Sequence, residues 1–196
     1  SKENGISINL GPGGNLHRNI LCGRHPEYYS EDPILTGTLM AYQARGLEEN
    51  GVIATYKHLI ANNMEFERKS AHGIIDENTL RDLYLRVFDK AFSLYKPGCV
   101  MTSYNPVNGI YPCENSALLN DLLCGEWGFD GFVMTDWGSY DTADSIRSVC
   151  AGTNLLTPGS KKHFRMILKA VKRNEISKAA LQHSVKQIVK VLVRCI

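Results

Sequence analysis

The chain has 196 residues, 43% hydrophobic and 21% charged, with a net charge of +2; this suffices for one domain with a sizeable core and excludes the disordered and fibrous classes. So neutral a balance gives no ground for nucleic acid as a partner. The apolar runs are short and broken by Asn, Lys or Asp, so neither a membrane span nor a signal-peptide core is expected, and the expectation is a cytoplasmic protein unless an amino-terminal segment precedes Ser1.

Ile6 to Leu10 alternates apolar and polar residues and breaks at Gly11-Pro12-Gly13-Gly14, a strand followed by a forced turn. A long polar loop over residues 15–32 carries His17, Arg18, Arg24, His25, Glu27, Tyr28 and Tyr29, and loops of that length in compact domains are usually functional. Asp32 as cap and Pro33 at the first position start a helix that runs to about Asn50, before Gly51. Val52 to Tyr56 reads as the next strand, ending in Lys57-His58, and residues 62–68 form a second polar loop.

Asp76 caps a helix whose Leu80, Leu83, Tyr84, Val87, Ala91 and Leu94 share one face. Pro97-Gly98 ends it, and Cys99 to Tyr104 is strand again. A short helix over 116–124 leads to the strand Phe132 to Asp136. A helix near 142–149 precedes a last strand-like run, Thr153 to Leu156. Two helices finish the chain, at about 162–173 and 177–194, the second placing Leu181, Val185, Ile188, Val189 and Leu192 along one stripe.

Charge is uneven along this order. From Lys161 onward there are ten Lys and Arg against the single acid Glu175, leaving 12 basic and 19 acidic residues before it. The basic residues alternate with Ile, Leu and Val at helical spacing, which points to a solvated helix face or docking surface rather than a polyanion site. The six cysteines form no C-x-x-C pair and have no His pattern at zinc spacing, so they read as reduced thiols, with Cys99 and Cys150 as small buried residues. No metal and no cofactor are called for.

Strand and helix alternate throughout, which predicts an α/β fold with parallel strands and helical crossovers. Each strand delivers polar groups at its carboxyl end: Arg24 in the loop after the first, then Lys57 and His58, Tyr104 and Asp136. Such a gathering at one rim characterises a (β/α)8 barrel. Five strands are legible where eight close a barrel, so the expectation is a partial TIM-type barrel with its first units missing.

The stretch that organises the rim is Gly131-Phe132-Val133-Met134-Thr135-Asp136-Trp137-Gly138. An apolar run ends in one acid followed by an indole, which reads as a buried strand delivering a carboxylate into a cleft. Read alone, Asp136 would sooner be a cap of the next helix. Lys57 and His58 could be a cap pair and Tyr104 a core residue. With Arg24, Lys57 and Arg68 near it, Asp136 is expected to be held ionised by opposite charge, suited to nucleophilic attack, while Trp137 offers a flat face to a sugar. Gly11-Pro12-Gly13-Gly14 departs from G-x-G-x-x-G, and no Walker loop is present, so nucleotide readings are weak.

These residues, with Gly11-Pro12-Gly13 through His17-Arg18-Asn19, Gly23-Arg24 through Pro33, Lys57-His58 with Asn62-Asn63 and Arg68, Tyr104-Asn105, and Glu126 through Gly138, closely resemble the amino-terminal barrel of glycoside hydrolase family 3, the β-glucosidase and β-xylosidase family. The resemblance covers nearly the whole chain. It implies a retaining β-glycosidase acting on a β-linked glucoside or xyloside, with Asp136 as catalytic nucleophile and Arg24, Lys57, His58, Arg68, Tyr104 and Trp137 lining the sugar subsite. It also implies a general acid/base, usually a Glu from a following α/β domain, and a sugar-gripping Asp from an early strand, neither of which these 196 residues carry. A domain or second chain supplying the acid/base is therefore the expected partner, and the alternatives are a non-catalytic sugar-binding remnant or an inactive fragment. Glu65 and Glu67 are fallback proton donors.

The sequence also departs from the family pattern. Arg24-His25-Pro26-Glu27 stands where relatives usually have Asn-Phe between Arg and Glu, and Asn154 and Thr157 replace an Asp and a Met. Leu59 to Asn63 after Lys57-His58 lacks the Gly-His-Gly of the N-acetylglucosaminidase branch.

Overall fold

A computed structural model describes residues 2–195. Four parallel strands, β1 (Ile8–Asn9), β2 (Ile53–Leu59), β3 (Cys99–Thr102) and β4 (Phe132–Met134), form one sheet in chain order. Ile8 pairs with Ile53, Thr55 with Cys99, and Cys99 with Phe132. The fifth strand expected over residues 153–156 shrinks to a single bridge between Met134 and Leu155. The side-chain oxygen of Asn154 takes the Val133 N–H at 2.7 Å, so a side chain stands in for part of the main-chain ladder.

β2 is longer than its sequence suggests. Residues 11–14 run beside it, with Thr55 N–H on Gly11 O at 2.9 Å, Lys57 N–H on Pro12 O at 3.2 Å and Gly14 N–H on Lys57 O at 2.6 Å. Lys57 and His58 are therefore strand residues and cap no helix. Gly13 permits the approach, because a Cβ there would lie 2.9 Å from the Tyr28 ring and 3.0 Å from Glu27 O.

Helix α1 (Pro33–Glu49) starts as predicted, Asp32 accepting the Leu35 N–H at 2.8 Å. Helix α2 (Glu77–Thr79), capped by Asp76, passes through wide i→i+5 turns at Leu80–Leu85 into α3 (Arg86–Leu94). Those turns rotate the buried face away from strict α spacing. Leu85, Val87, Phe88, Ala91 and Phe92 are buried, Leu80, Leu83 and Tyr84 only partly so, and Leu94 is exposed. The same wide turns span Ala117–Glu126. Helix α4 (Ser145–Cys150) begins later than its periodicity suggests, because Asp144 caps it by accepting from the Ile146 and Arg147 N–H groups. Helices α5 (Lys161–Lys172) and α6 (Lys178–Leu192) follow.

Helices α1 and α3 cover one face of the sheet, Met40, Ala44, Phe88 and Ala91 packing with Ala54, Tyr56, Val100 and Val133. On the other face Ile53, Cys99, Met101, Phe132 and Met134 cluster with Val191 of α6. Helix α6 lies under the amino-terminal ends of the strands, where Arg194 pairs with Glu48 and Lys190 with Asp130. Its predicted stripe is corrected: Ser184 and Val191 are buried, while Val185, Val189 and Leu192 are exposed, since only one edge of a broad apolar arc meets the sheet. The six cysteines are free. Cys99 and Cys113 are buried, and burial pushes the Cys113 thiol up to about 11, whereas Cys150 is exposed at the end of α4. Among the described residues no helix is long and apolar enough to cross a membrane.

Candidate active site

The carboxyl ends of the four strands converge on Asp136. Just before it, Thr135 N–H bonds Leu155 O at 3.0 Å, and the Thr157 N–H bonds the Thr135 hydroxyl at 2.9 Å, which fixes the backbone leaving β4. Asp136 is 7% exposed. Its Oδ1 accepts the Trp137 N–H at 2.6 Å; among the described residues its Oδ2 is buried with no hydrogen-bond partner. Helix capping is excluded as its role, because α4 takes its cap from Asp144.

Burial raises the Asp136 carboxyl above the usual Asp range, outweighing the Trp137 N–H, Arg24, Tyr104 and Lys57, which all pull it down. This corrects the expectation that the surrounding cations dominate. The carboxylate lies among groups that lower its pKa, and desolvation still exceeds their sum.

His58 sits beside it, Nε2 lying 3.5 Å from Asp136 Oδ2. The contact is not an ion pair. Arg24 Nη2, which can only donate, lies 2.8 Å from the same Nε2, so that nitrogen accepts and the ring proton is on Nδ1. Nδ1 in turn meets Asn15 Oδ1 at 2.9 Å, and Tyr28 Oη is 3.2 Å away. Burial, then Arg24, Lys57 and Arg68, hold His58 well below its usual pKa and so neutral. Asn15 also bonds the main chain of residue 58 twice, its Oδ1 accepting the N–H at 3.0 Å and its Nδ2 donating to the carbonyl at 2.9 Å. The imidazole is thus fixed in position and tautomer.

The cations form a second layer. Glu27 accepts from Arg24 Nε and pairs with Lys57 Nζ at 2.9 Å. Burial alone would raise Glu27, but these two partners hold its carboxyl below the usual range. Arg24 stays protonated: burial opposes its charge, and Glu27, Tyr28 and Glu65 more than offset it. Glu65 pairs with Arg68 at 2.8 Å and approaches Arg24 Nε at 3.8 Å. That commitment argues against Glu65 as a proton donor, and Glu67 is exposed on the turn beyond it.

The Arg68 guanidinium lies 4.7 Å from the centre of the Tyr104 ring. Tyr104 Oη donates to Trp137 O at 2.7 Å, and burial followed by the nearby Asp136 charge pushes the phenol up to about 12. Tyr104 is thereby a rim residue with its hydroxyl in use and not simply core. The Trp137 indole is 58% exposed at the mouth.

Every sequence-predicted site residue is therefore placed at one rim. Sequence reasoning gave Asn15 no role and placed Glu27 only as one member of the long polar loop. The register of residues 11–14 against β2 is the signal that could have placed Asn15 beside His58. The arrangement presents the desolvated, unpartnered Asp136 Oδ2 within a shell of fixed donors, beside an exposed aromatic face; Glu65 Oε1, 3.8 Å from Arg24 Nε, is also buried without a hydrogen-bond partner among the described residues.

A family signature, Glycosyl hydrolase family 3 N terminal domain, matches residues 2–191. The chain is 42% identical over 188 residues to thermostable beta-glucosidase B of Acetivibrio thermocellus, covering 95% of this chain and 25% of that protein. It is 40% identical to a beta-glucosidase of Rhizobium radiobacter, covering 99% of this chain and 24% of that one. The solved structure of beta-glucosidase 3B from Thermotoga neapolitana in complex with glucose superposes with a TM-score of 0.94 at 40% identity, over 98% of this chain and 28% of that chain. The fold is thereby an arc of parallel strands and helices of the TIM-barrel type. The chain spans about a quarter of the length of the curated relatives it matches.

Proposed function

Because the chain belongs to glycosyl hydrolase family 3, we propose that it is the nucleophile-bearing portion of a retaining β-glycosidase, β-glucosidase-like in substrate class. The observation that carries this reading is the Asp136 carboxylate, with one oxygen fixed by the Trp137 N–H and the other buried and unpartnered. A retaining enzyme attacks the anomeric carbon with one carboxylate while a second carboxyl group, about 5 Å away, protonates the leaving oxygen. Asp136 Oδ2 forms the new C–O bond, the leaving group departs with the old bonding pair, and water later releases the sugar.

Arg24, Lys57 and Arg68 serve as donors for the sugar hydroxyls, the neutral His58 lines the subsite and braces Arg24 through Nε2, and Trp137 is the stacking face. Tyr104, whose hydroxyl donates to Trp137 O beside the Asp136 carboxylate, holds the rim and shapes the subsite wall. Glu27 and Glu65, the carboxylates of the shell around these cations, are tied to Arg24, Lys57 and Arg68. On this reading the proton donor comes from a further α/β domain of the parent protein or from a second chain, and residues 1–196 belong to an amino-terminal barrel domain.

The test is covalent. A 2-fluoro-glucoside inactivator with an activated leaving group should leave its sugar on the peptide containing Asp136, seen by mass spectrometry of a digest. A label on any other residue overturns the assignment. A sugar-binding remnant without turnover is the second reading, favoured by those ion-paired glutamates. Comparing an activated aryl glucoside with cellobiose separates the two, since only the second needs strong protonation of its leaving group.

A further inference from the structure

The loop bearing Trp137 is held from outside the sugar subsite. Lys69 Nζ donates to Gly138 O at 3.1 Å and to Asp141 Oδ2 at 2.8 Å, and it lies 5.6 Å from the centre of the Tyr104 ring. Its own backbone is anchored, because the Tyr111 hydroxyl donates to Lys69 O at 3.2 Å and the Ser70 and Ala71 N–H groups both bond Glu67 O at 2.8 Å. The ammonium is therefore delivered from a fixed turn. The receiving loop is equally defined. Gly138 has φ +81°, its N–H bonds Thr157 O at 2.9 Å, and Ser139 N–H returns to Asp136 O at 3.1 Å.

We propose that Lys69 is a positioning residue for the nucleophile: by clamping the Gly138 carbonyl while Tyr104 clamps the Trp137 carbonyl, it holds the two peptides that follow the one whose N–H orients the Asp136 carboxylate. This rests on the reading of Asp136 as nucleophile. The Trp137 carbonyl belongs to the Trp137–Gly138 peptide and the Gly138 carbonyl to the one after it, and both follow directly on the Asp136–Trp137 peptide, whose N–H holds Asp136 Oδ1. A shift of that peptide turns the free Oδ2 off its line of attack, and small displacements of reacting groups carry large rate costs. Lys69 Nζ faces the Tyr104 ring and the loop after Trp137 and not the donors assigned to the sugar hydroxyls, so its removal acts on the chemical step more than on affinity.

The enzyme carrying this chain is inactivated with the 2-fluoro-glucoside, and the inactivation rate constant is separated from the inactivator's dissociation constant. Lys69→Met is expected to lower the rate constant about tenfold and to change the dissociation constant less than about threefold, while Lys69→Arg, which keeps a cationic donor, recovers most of the rate. An unchanged rate constant in Lys69→Met, a loss confined to the dissociation constant, or an Arg variant no better than Met each overturn the inference. Absence of label on Asp136 in the unmodified enzyme overturns the nucleophile assignment instead.

Discussion

Two buried carboxylates, one at each end of the same sheet, are treated in opposite ways. Glu48, at the amino-terminal end, has both oxygens fully engaged: Oε1 accepts the Gly98 N–H at 2.7 Å and the Ala54 N–H at 3.1 Å, while Oε2 takes the Tyr95 hydroxyl at 3.1 Å and pairs with Arg194. Asp136, at the carboxyl end, has one oxygen bonded and one left without a partner. A buried charge with every lone pair satisfied ties elements together, and here Glu48 joins α1, the starts of β2 and β3, and the turn after α6. A buried charge left half satisfied costs stability and keeps reactivity. The floor of the sheet is built for holding and the rim for reacting.

Three substitutions or titrations break or sharpen this contrast. The largest effect is expected from Asp136→Asn in the intact enzyme, where turnover of an aryl glucoside should fall by roughly 10⁴-fold or more. The thermal midpoint near neutral pH should hold or rise, since a desolvated charge is removed; a large loss of stability would show that Asp136 is structural after all.

Glu48→Gln should do the reverse. The amide turns donors toward N–H groups and a guanidinium, so unfolding stability should drop by about 3 kcal/mol, measured by denaturant titration. Folded molecules should keep kcat/KM within about twofold. Equal damage to both quantities would dissolve the distinction between floor and rim.

The smallest effect concerns pH. The Asp136 pKa is raised by burial, so its protonated form persists to higher pH than an ordinary Asp. Labelling by the fluoro-glucoside should therefore fail, as pH is lowered, at a higher pH than an exposed Asp would give. The stability sign is opposite: the charged form is disfavoured in the fold, so the penalty is present above the folded pKa and relieved as pH falls through it. An acid limb below the ordinary Asp range would contradict the dominance of burial.

Much of the rim was legible because its residues follow strand ends. Asp136 comes two residues after β4, Tyr104 two after β3, and Lys57-His58 lie late in β2, so chain order alone brings them to one edge of a parallel sheet. Helix starts were legible where a single side chain decides them, as at Asp32 and Asp76. Less legible was anything set by a neighbour distant in sequence. The wide turns at Leu80–Leu85 moved a buried face, Asn154 replaced part of a fifth strand, and α6 turned half its apolar arc outward. Lys69 reads as one charge in a polar loop until Gly138 and Asp141 are beside it.

The linear order of residues by itself determined the alternation of strand and helix, the polar strand ends and the lone acid after Met134, because these depend on periodicity and local backbone preference. Tertiary structure alone decided the neutral state and tautomer of His58, the upward pKa of Asp136 and the closed shell of Glu48. Those depend on how much water is excluded and which donors reach each atom, and groups far apart along the chain set both quantities.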